Sequence, residues 1–201
     1  MRKSIAGSLA ALVYSVAWAG PAVAATQQSS ADTVRVLVVY HTMTGNTQTL
    51  AEAVAEGARS VPGAEVVLKT VDEVVNEDLE ACDALLIGSP TYWGSIATPV
   101  KAFIDDRRVF MGDKVGGAFA TGGSDGGGKE LAVLSILTAM LNNGMIVAGP
   151  HYEEGGFQFG GFGVAATTGT DSPGVDEAEM DRGRLLGERV ATVAKRYRGQ
   201  Q

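Results

Sequence analysis

The segment Thr42-Met43-Thr44-Gly45-Asn46-Thr47 gathers hydroxyls, one glycine and a run of amides directly after an apolar stretch. Where a buried strand turns into a helix, unpaired N–H groups and the helix dipole favour an anion. Thr and Asn are also ordinary caps, so a plain capped helix start accounts for the same residues. No Lys or Arg occurs between Arg35 and Arg59, so the lysine that nucleoside-triphosphate loops aim at terminal phosphates is missing. The three-glycine dinucleotide fingerprint is missing too. A single monoester phosphate suits this segment better than a di- or triphosphate.

Two further segments carry unusual chemistry. In Ser89-Pro90-Thr91-Tyr92-Trp93-Gly94-Ser95, a flat ligand can stack on Tyr92 or Trp93 while amides around Gly94 bond its polar edge. The competing reading is that the aromatics fill the core; Pro and Gly at a strand end speak for the surface instead. Thr121-Gly122-Gly123-Ser124-Asp125-Gly126-Gly127-Gly128 lets backbone pass close to such a ring. Gly123 to Lys129 also spells G-x-x-x-x-G-K, but Glu130 stands where a magnesium-binding Ser or Thr belongs, which argues against a triphosphatase.

The elements that position these segments alternate between β-branched runs and helical stretches. Strands are expected at Val34 to Tyr40, Ala64 to Thr70, Ala84 to Gly88, Lys114 to Thr121 and Met145 to Ala148. Helices are expected at Asn46 to Arg59, Ile96 to Ile104, Lys129 to Asn142 and Val175 to Tyr197. The third of these carries Leu131, Leu134, Thr138 and Leu141 on one apolar stripe. The stretch from Asp72 to Glu80 reads only as acidic. This pattern implies an α/β, doubly wound, five-stranded parallel sheet in the order 2-1-3-4-5. In such sheets the ligand lies beyond the carboxyl ends of the strands, where strand order reverses. The three unusual segments follow strands one, three and four, and so converge there.

Composition narrows the function classes. With 201 residues, 45% of them hydrophobic and 19% charged, the chain is one folded domain rather than a disordered one. A formal net charge of −7 gives no broad basic surface, so nucleic-acid binding is not expected. The single cysteine, Cys82, excludes an internal disulfide and a multi-cysteine metal site, and reads as a buried small side chain. No metal site is expected. Residues 1–25 begin with Arg2-Lys3, continue with an apolar stretch, and end in Gly20-Pro21 and Ala22-Val23-Ala24, as a cleaved secretory signal does. The alternative is an uncleaved anchor, through which alone the protein would touch a membrane. Residues 26–32 read as a polar tether and residues 33–199 as the functional domain. Export, with the periplasm as destination, follows from the cleaved reading. Arg2-Lys3 is not a twin-arginine pair, so the chain would cross unfolded and acquire any cofactor outside the cytoplasm.

Taken together, these residues resemble the flavodoxin-like family, whose phosphate loop has the form T-x-T-G-x-T, here Thr42 to Thr47. Within it the chain is most similar to the tryptophan-repressor-binding-protein type of NAD(P)H:quinone oxidoreductase. The likeness rests on Ala53 to Ala58, Gly88 to Gly94, Asn143 to Val147, and Phe162 to Thr168, the last resembling that group's final loop. The resemblance implies noncovalently bound FMN. Thr42, Met43, Thr44, Gly45, Asn46 and Thr47 would hold its phosphate. Pro90, Thr91, Tyr92, Trp93, Gly94 and Ser95 would border the ring, and Thr121, Gly122, Gly123, Ser124 and Gly127 its far edge and ribityl chain. No protein side chain is expected to be catalytic, because the redox chemistry belongs to the flavin. The acidity of the chain would disfavour an anionic reduced flavin.

The implied activity is two-electron, ping-pong NAD(P)H:quinone reduction, with a quinone or similar small acceptor as partner. A flavodoxin-type electron carrier, docking protein redox partners without small-molecule turnover, is the alternative, and a binding protein without redox role a third reading. A homo-oligomer is compatible with the resemblance. Two departures bear on these implications. Asn142 and Asn143 stand where the quinone reductases carry a His pair, and Val71 to Asp83 is short where they carry an insertion tied to their tetramer. His41, beside the phosphate loop, and His151, near Glu153 and Glu154, read as packed or rim residues rather than catalytic ones.

Overall fold

The computed structural model describes residues 33–106, 109–150, 161–169 and 174–200. The expected leader, the tether, His151, Glu153 and Glu154 lie outside these residues. Val34–Tyr40 (β1) is buried at every position but Arg35, as a central parallel strand requires. It pairs in parallel with Ala64–Thr70 (β2) on one side and with Ala84–Tyr92 (β3) on the other. The β3 strand pairs with Val115–Gly122 (β5), which pairs with Ile146–Val147 (β6). The resulting order, β2-β1-β3-β5-β6, is the expected 2-1-3-4-5.

Helices Asn46–Arg59 (α1) and Glu177–Arg198 (α5) cover one face through Leu50, Val54, Leu186 and Val190. Asn76–Ala81 (α2), Thr98–Asp106 (α3) and Lys129–Asn142 (α4) cover the other through Leu79, Val100, Phe103, Val133 and Ile136. The α1 and α5 backbones touch at two glycines. A Cβ on Gly57 would strike the carbonyl of Arg184, and one on Gly187 the carbonyl of Val54, so glycine is what permits this approach.

Several expectations are corrected. The third strand runs on to Tyr92 and folds back into Ser95–Ile96 (β4), making the second loop a hairpin. The φ angles of 53° at Trp93 and 74° at Gly94 supply its turn. As a result α3 starts at Thr98, with Pro99 in its first turn. The acidic stretch contains α2, which the Asp78 carboxylate supports by accepting from Val75 N at 2.9 Å and Lys69 Nζ at 2.7 Å. Val164–Thr167, expected in a loop, is a strand (β7) that pairs with the upper half of β5 while β6 pairs with the lower half. The fifth position is thus two short strands in series. Finally, the stripe Leu131, Leu134 and Leu141 is the outer face of α4; Ala132, Val133, Ile136, Leu137 and Met140 face the core. This helix is apolar on both sides.

Candidate functional site

The carboxyl ends of β1, β3 and β5 bring the three segments to one crevice. Gly45, at φ 90°, turns the chain from β1 into α1. Its N–H donates to Thr42 Oγ1 at 3.0 Å, and Asn46 Nδ2 donates to Thr44 Oγ1 at 3.3 Å. The first intrahelical bond runs from Thr49 N to Gly45 O at 2.9 Å. No side chain caps α1, and its first turn holds no acidic residue, so the capped-start reading is not what the fold displays. By contrast α5 is closed by Asp176, which accepts from Glu179 N at 2.8 Å. The α1 end keeps its donors and dipole open to an anion.

Buried side chains tie this loop to its neighbours. Thr47 Oγ1 lies 2.8 Å from Thr121 Oγ1, either one donating. Asn46 Oδ1 accepts from Gly174 N at 2.6 Å, and His41 N donates to Gly88 O at 3.2 Å. In the hairpin, Ser89 Oγ accepts from Ala97 N at 2.9 Å and donates to Pro90 O at 2.7 Å, holding the turn upright. Trp93 is fully exposed, Tyr92 41% exposed and Met43 73% exposed, so none of the three is core filler. Thr91 differs: its hydroxyl is buried and has no hydrogen-bond partner among the described residues. The second and third segments meet as backbone, because Gly128, at φ 83°, sits so close to Gly94 that a Cβ would approach its Cα to 2.7 Å. All three segments therefore adjoin, as expected; Gly123 and Ser124 are exposed at the mouth, while Gly122 is buried behind it.

The segment ending in Thr168 and the carboxylate of Glu179, which was not singled out in the sequence, complete the frame. Thr168 N donates to Gly122 O at 2.9 Å, and Glu179 accepts from Thr167 N at 2.5 Å. Burial raises the Glu179 carboxyl above its ordinary value, against the pull of the hydrogen bonds donated by the Thr167 and Asp176 amides. Thr167 Oγ1 also donates to Asp125 Oδ1 at 2.6 Å, anchoring the glycine run to β7. No local sequence signal marks these links. The residues present fit FMN on three counts: an uncapped helix start with hydroxyls for a phosphate, exposed aromatics beside glycine backbone for a ring, and an orphaned buried hydroxyl at Thr91. Among the described residues no group of His, Cys, Asp or Glu is arranged to hold a metal ion.

Comparison with known proteins agrees with this geometry. Residues 37–130 match the family described as a flavodoxin domain. A flavodoxin from Aquifex aeolicus is 48% identical over 122 residues, spanning 57% of this chain and 64% of that protein, just under two thirds of its length. An NAD(P)H dehydrogenase (quinone) from Gluconacetobacter diazotrophicus is 34% identical over 196 residues, spanning 80% of this chain and 96% of that one. Among solved structures, a flavodoxin, WrbA-like protein from Agrobacterium tumefaciens superposes with a TM-score of 0.67 at 27% identity, covering 82% of this chain and 99% of that one. Since the likeness to the quinone dehydrogenase extends over almost its whole length, this chain belongs to the flavodoxin-like NAD(P)H dehydrogenase (quinone) family.

Proposed function

We propose that the protein is an FMN-dependent oxidoreductase that takes two electrons from a reduced nicotinamide nucleotide and delivers them to a quinone. The observation that carries this reading is the convergence of an uncapped α1, exposed aromatics and an orphaned Thr91 hydroxyl at one switch point of the sheet. FMN bound there would supply the two-electron redox chemistry. The amides and hydroxyls of Thr42, Met43, Thr44, Gly45, Asn46 and Thr47 would hold its phosphate, in a loop without Lys or Arg. Pro90, Thr91, Tyr92, Trp93, Gly94 and Ser95 would border the ring, and Thr121, Gly122, Gly123, Ser124 and Gly127 its far edge and ribityl chain. The exposed Tyr92, Trp93 and Met43 flank an open mouth, through which donor and acceptor enter in turn. Anaerobic mixing tests the reading: NADH or NADPH should bleach the flavin quickly and a quinone restore it. Bleaching by dithionite alone would overturn it.

That second outcome would favour an electron carrier serving protein redox partners. The 48% identity to the Aquifex aeolicus flavodoxin supports this alternative.

Residues 1–25 act as a cleaved secretory leader, placing the mature protein in the periplasm; mass spectrometry of the exported product, beginning at Thr26, tests this. Among the described residues no helix is long and apolar enough to cross a membrane. The outer face of α4 joins two copies of the chain. Leu131 and Leu141 are 58% and 57% exposed, and no charged side chain occurs from Leu131 to Gly144, so negatively charged copies can meet there without opposing carboxylates. Leu134→Glu should shift the protein to monomer in sedimentation.

A further inference from the structure

The G-x-x-x-x-G-K run ends in a lysine that the phosphate site does not use. Lys129 is only 5% exposed, a rare state for this side chain. Its stem lies behind the third loop: a Cβ built on Gly122 would stand 3.3 Å from Lys129 Cβ, 3.7 Å from its Cδ and 3.8 Å from Thr91 Cβ. The ammonium curls under the glycine run and donates to the Asp125 carbonyl at 3.1 Å. Two carboxylates approach it, Glu130 at 3.2 Å and Asp125 at 3.8 Å. Their side chains are 48% and 96% exposed, against 6% for the lysine, so water and salt screen the negative partners far more than the positive one. The buried group is a cation held beneath the glycine run at Asp125, with its stem passing beside Gly122.

This placement opposes the rest of the chain. With 23 acidic residues against 16 basic, the overall field disfavours a negatively charged ligand. Adding two electrons and one proton converts the neutral ring of FMN into a monoanion, and a cation held in a low-dielectric interior favours that form. Resting on the reading that FMN occupies the crevice, we propose that Lys129 is a buried electrostatic counterweight that tightens binding of the reduced, anionic flavin relative to the oxidised one. The lysine need not touch the ring. It acts through the loop it supports, by the charge it keeps out of water.

The test is redox titration of the holoprotein with dithionite and an equilibrating dye, together with FMN affinity in the oxidised state. Lys129→Gln and Lys129→Met should each weaken reduced FMN about tenfold more than oxidised FMN, a fall of about 30 mV in the two-electron potential. Lys129→Arg should keep the wild-type value. Glu130→Gln, at a half-exposed position that tolerates change, should move the ratio about twofold the other way. An unchanged potential in Lys129→Gln, or an equal loss of both affinities, would reduce the lysine to a strut and overturn the proposal. If the lysine variants do not fold, an unchanged or lowered potential in Glu130→Gln overturns it instead. Failure of the wild-type protein to bind FMN would sink the cofactor reading itself, before any variant is made.

Discussion

The buried hydroxyls of Thr47 and Thr121, 2.8 Å apart, join the first turn of α1 to the end of β5 across 74 residues of sequence. The phosphate loop and the ring-bordering loop are therefore braced against each other. Thr47→Val removes this brace together with a candidate phosphate donor. FMN affinity should fall about tenfold, the equivalent of about 1.4 kcal/mol, with riboflavin affinity nearly unchanged. Isothermal titration with both ligands decides the matter. Equal losses would mean that the hydroxyl serves only the brace.

Thr91 provides a test with opposite signs in two states. A buried hydroxyl without a partner costs about 1 to 3 kcal/mol, so Thr91→Val should leave the cofactor-free protein as stable as wild type or more so. The same change should weaken FMN. Urea unfolding with and without the cofactor separates the effects, and a destabilised apoprotein would show that the hydroxyl is satisfied in solution by another group.

At the α1 and α5 contact, Gly187→Ala puts a methyl group against the Val54 carbonyl and the Ala58 amide. Both are backbone and cannot swing aside. The helices must separate, and stability should fall by about 1 to 3 kcal/mol, read from the midpoint of urea unfolding.

Burial pushes the Cys82 thiol from 9.0 up to about 11, although the Lys114 cation pulls it down. Its Sγ donates to the Leu79 carbonyl at 3.3 Å. The folded state keeps the proton that the unfolded chain gives up. The contribution to stability is therefore complete below about pH 9 and is lost as pH rises toward 11, by about 3 kcal/mol at most. Tyr40, raised by burial and then by Glu52 and Glu73, adds a slope of the same sign. Subtracting the profile of Cys82→Ala from that of wild type isolates the thiol. At pH 8 iodoacetamide should label Cys82 only in denaturant.

The sheet order and most elements were legible in the sequence because local signals punctuate them. Asn46–Arg59 and Lys129–Asn142 have the boundaries expected, each preceded by a glycine in the left-handed region and followed by a turn. The split fifth strand was not legible: Val164–Thr167 is four small residues, and its partner half, Ile146–Val147, lies far back in the chain. The outer stripe of α4 deceived because periodicity marks a face without saying what covers it, and this helix has two apolar faces. At the site, residue type alone located the three loops. The links among them, such as Asn46 to Gly174 across 128 residues, arise from topology and leave no local trace.

The seam between α1 and α5 also governs when the domain can be finished. Gly57 and Arg184 lie far apart in the sequence, yet one layer of the core, with Leu50, Val54, Leu186 and Val190 in it, is sealed only when they meet. However the chain folds, α1 cannot close its side of the core until α5 has docked. Removing several turns of α5 would leave that layer without a lid and strand α1, which lies far back in the sequence.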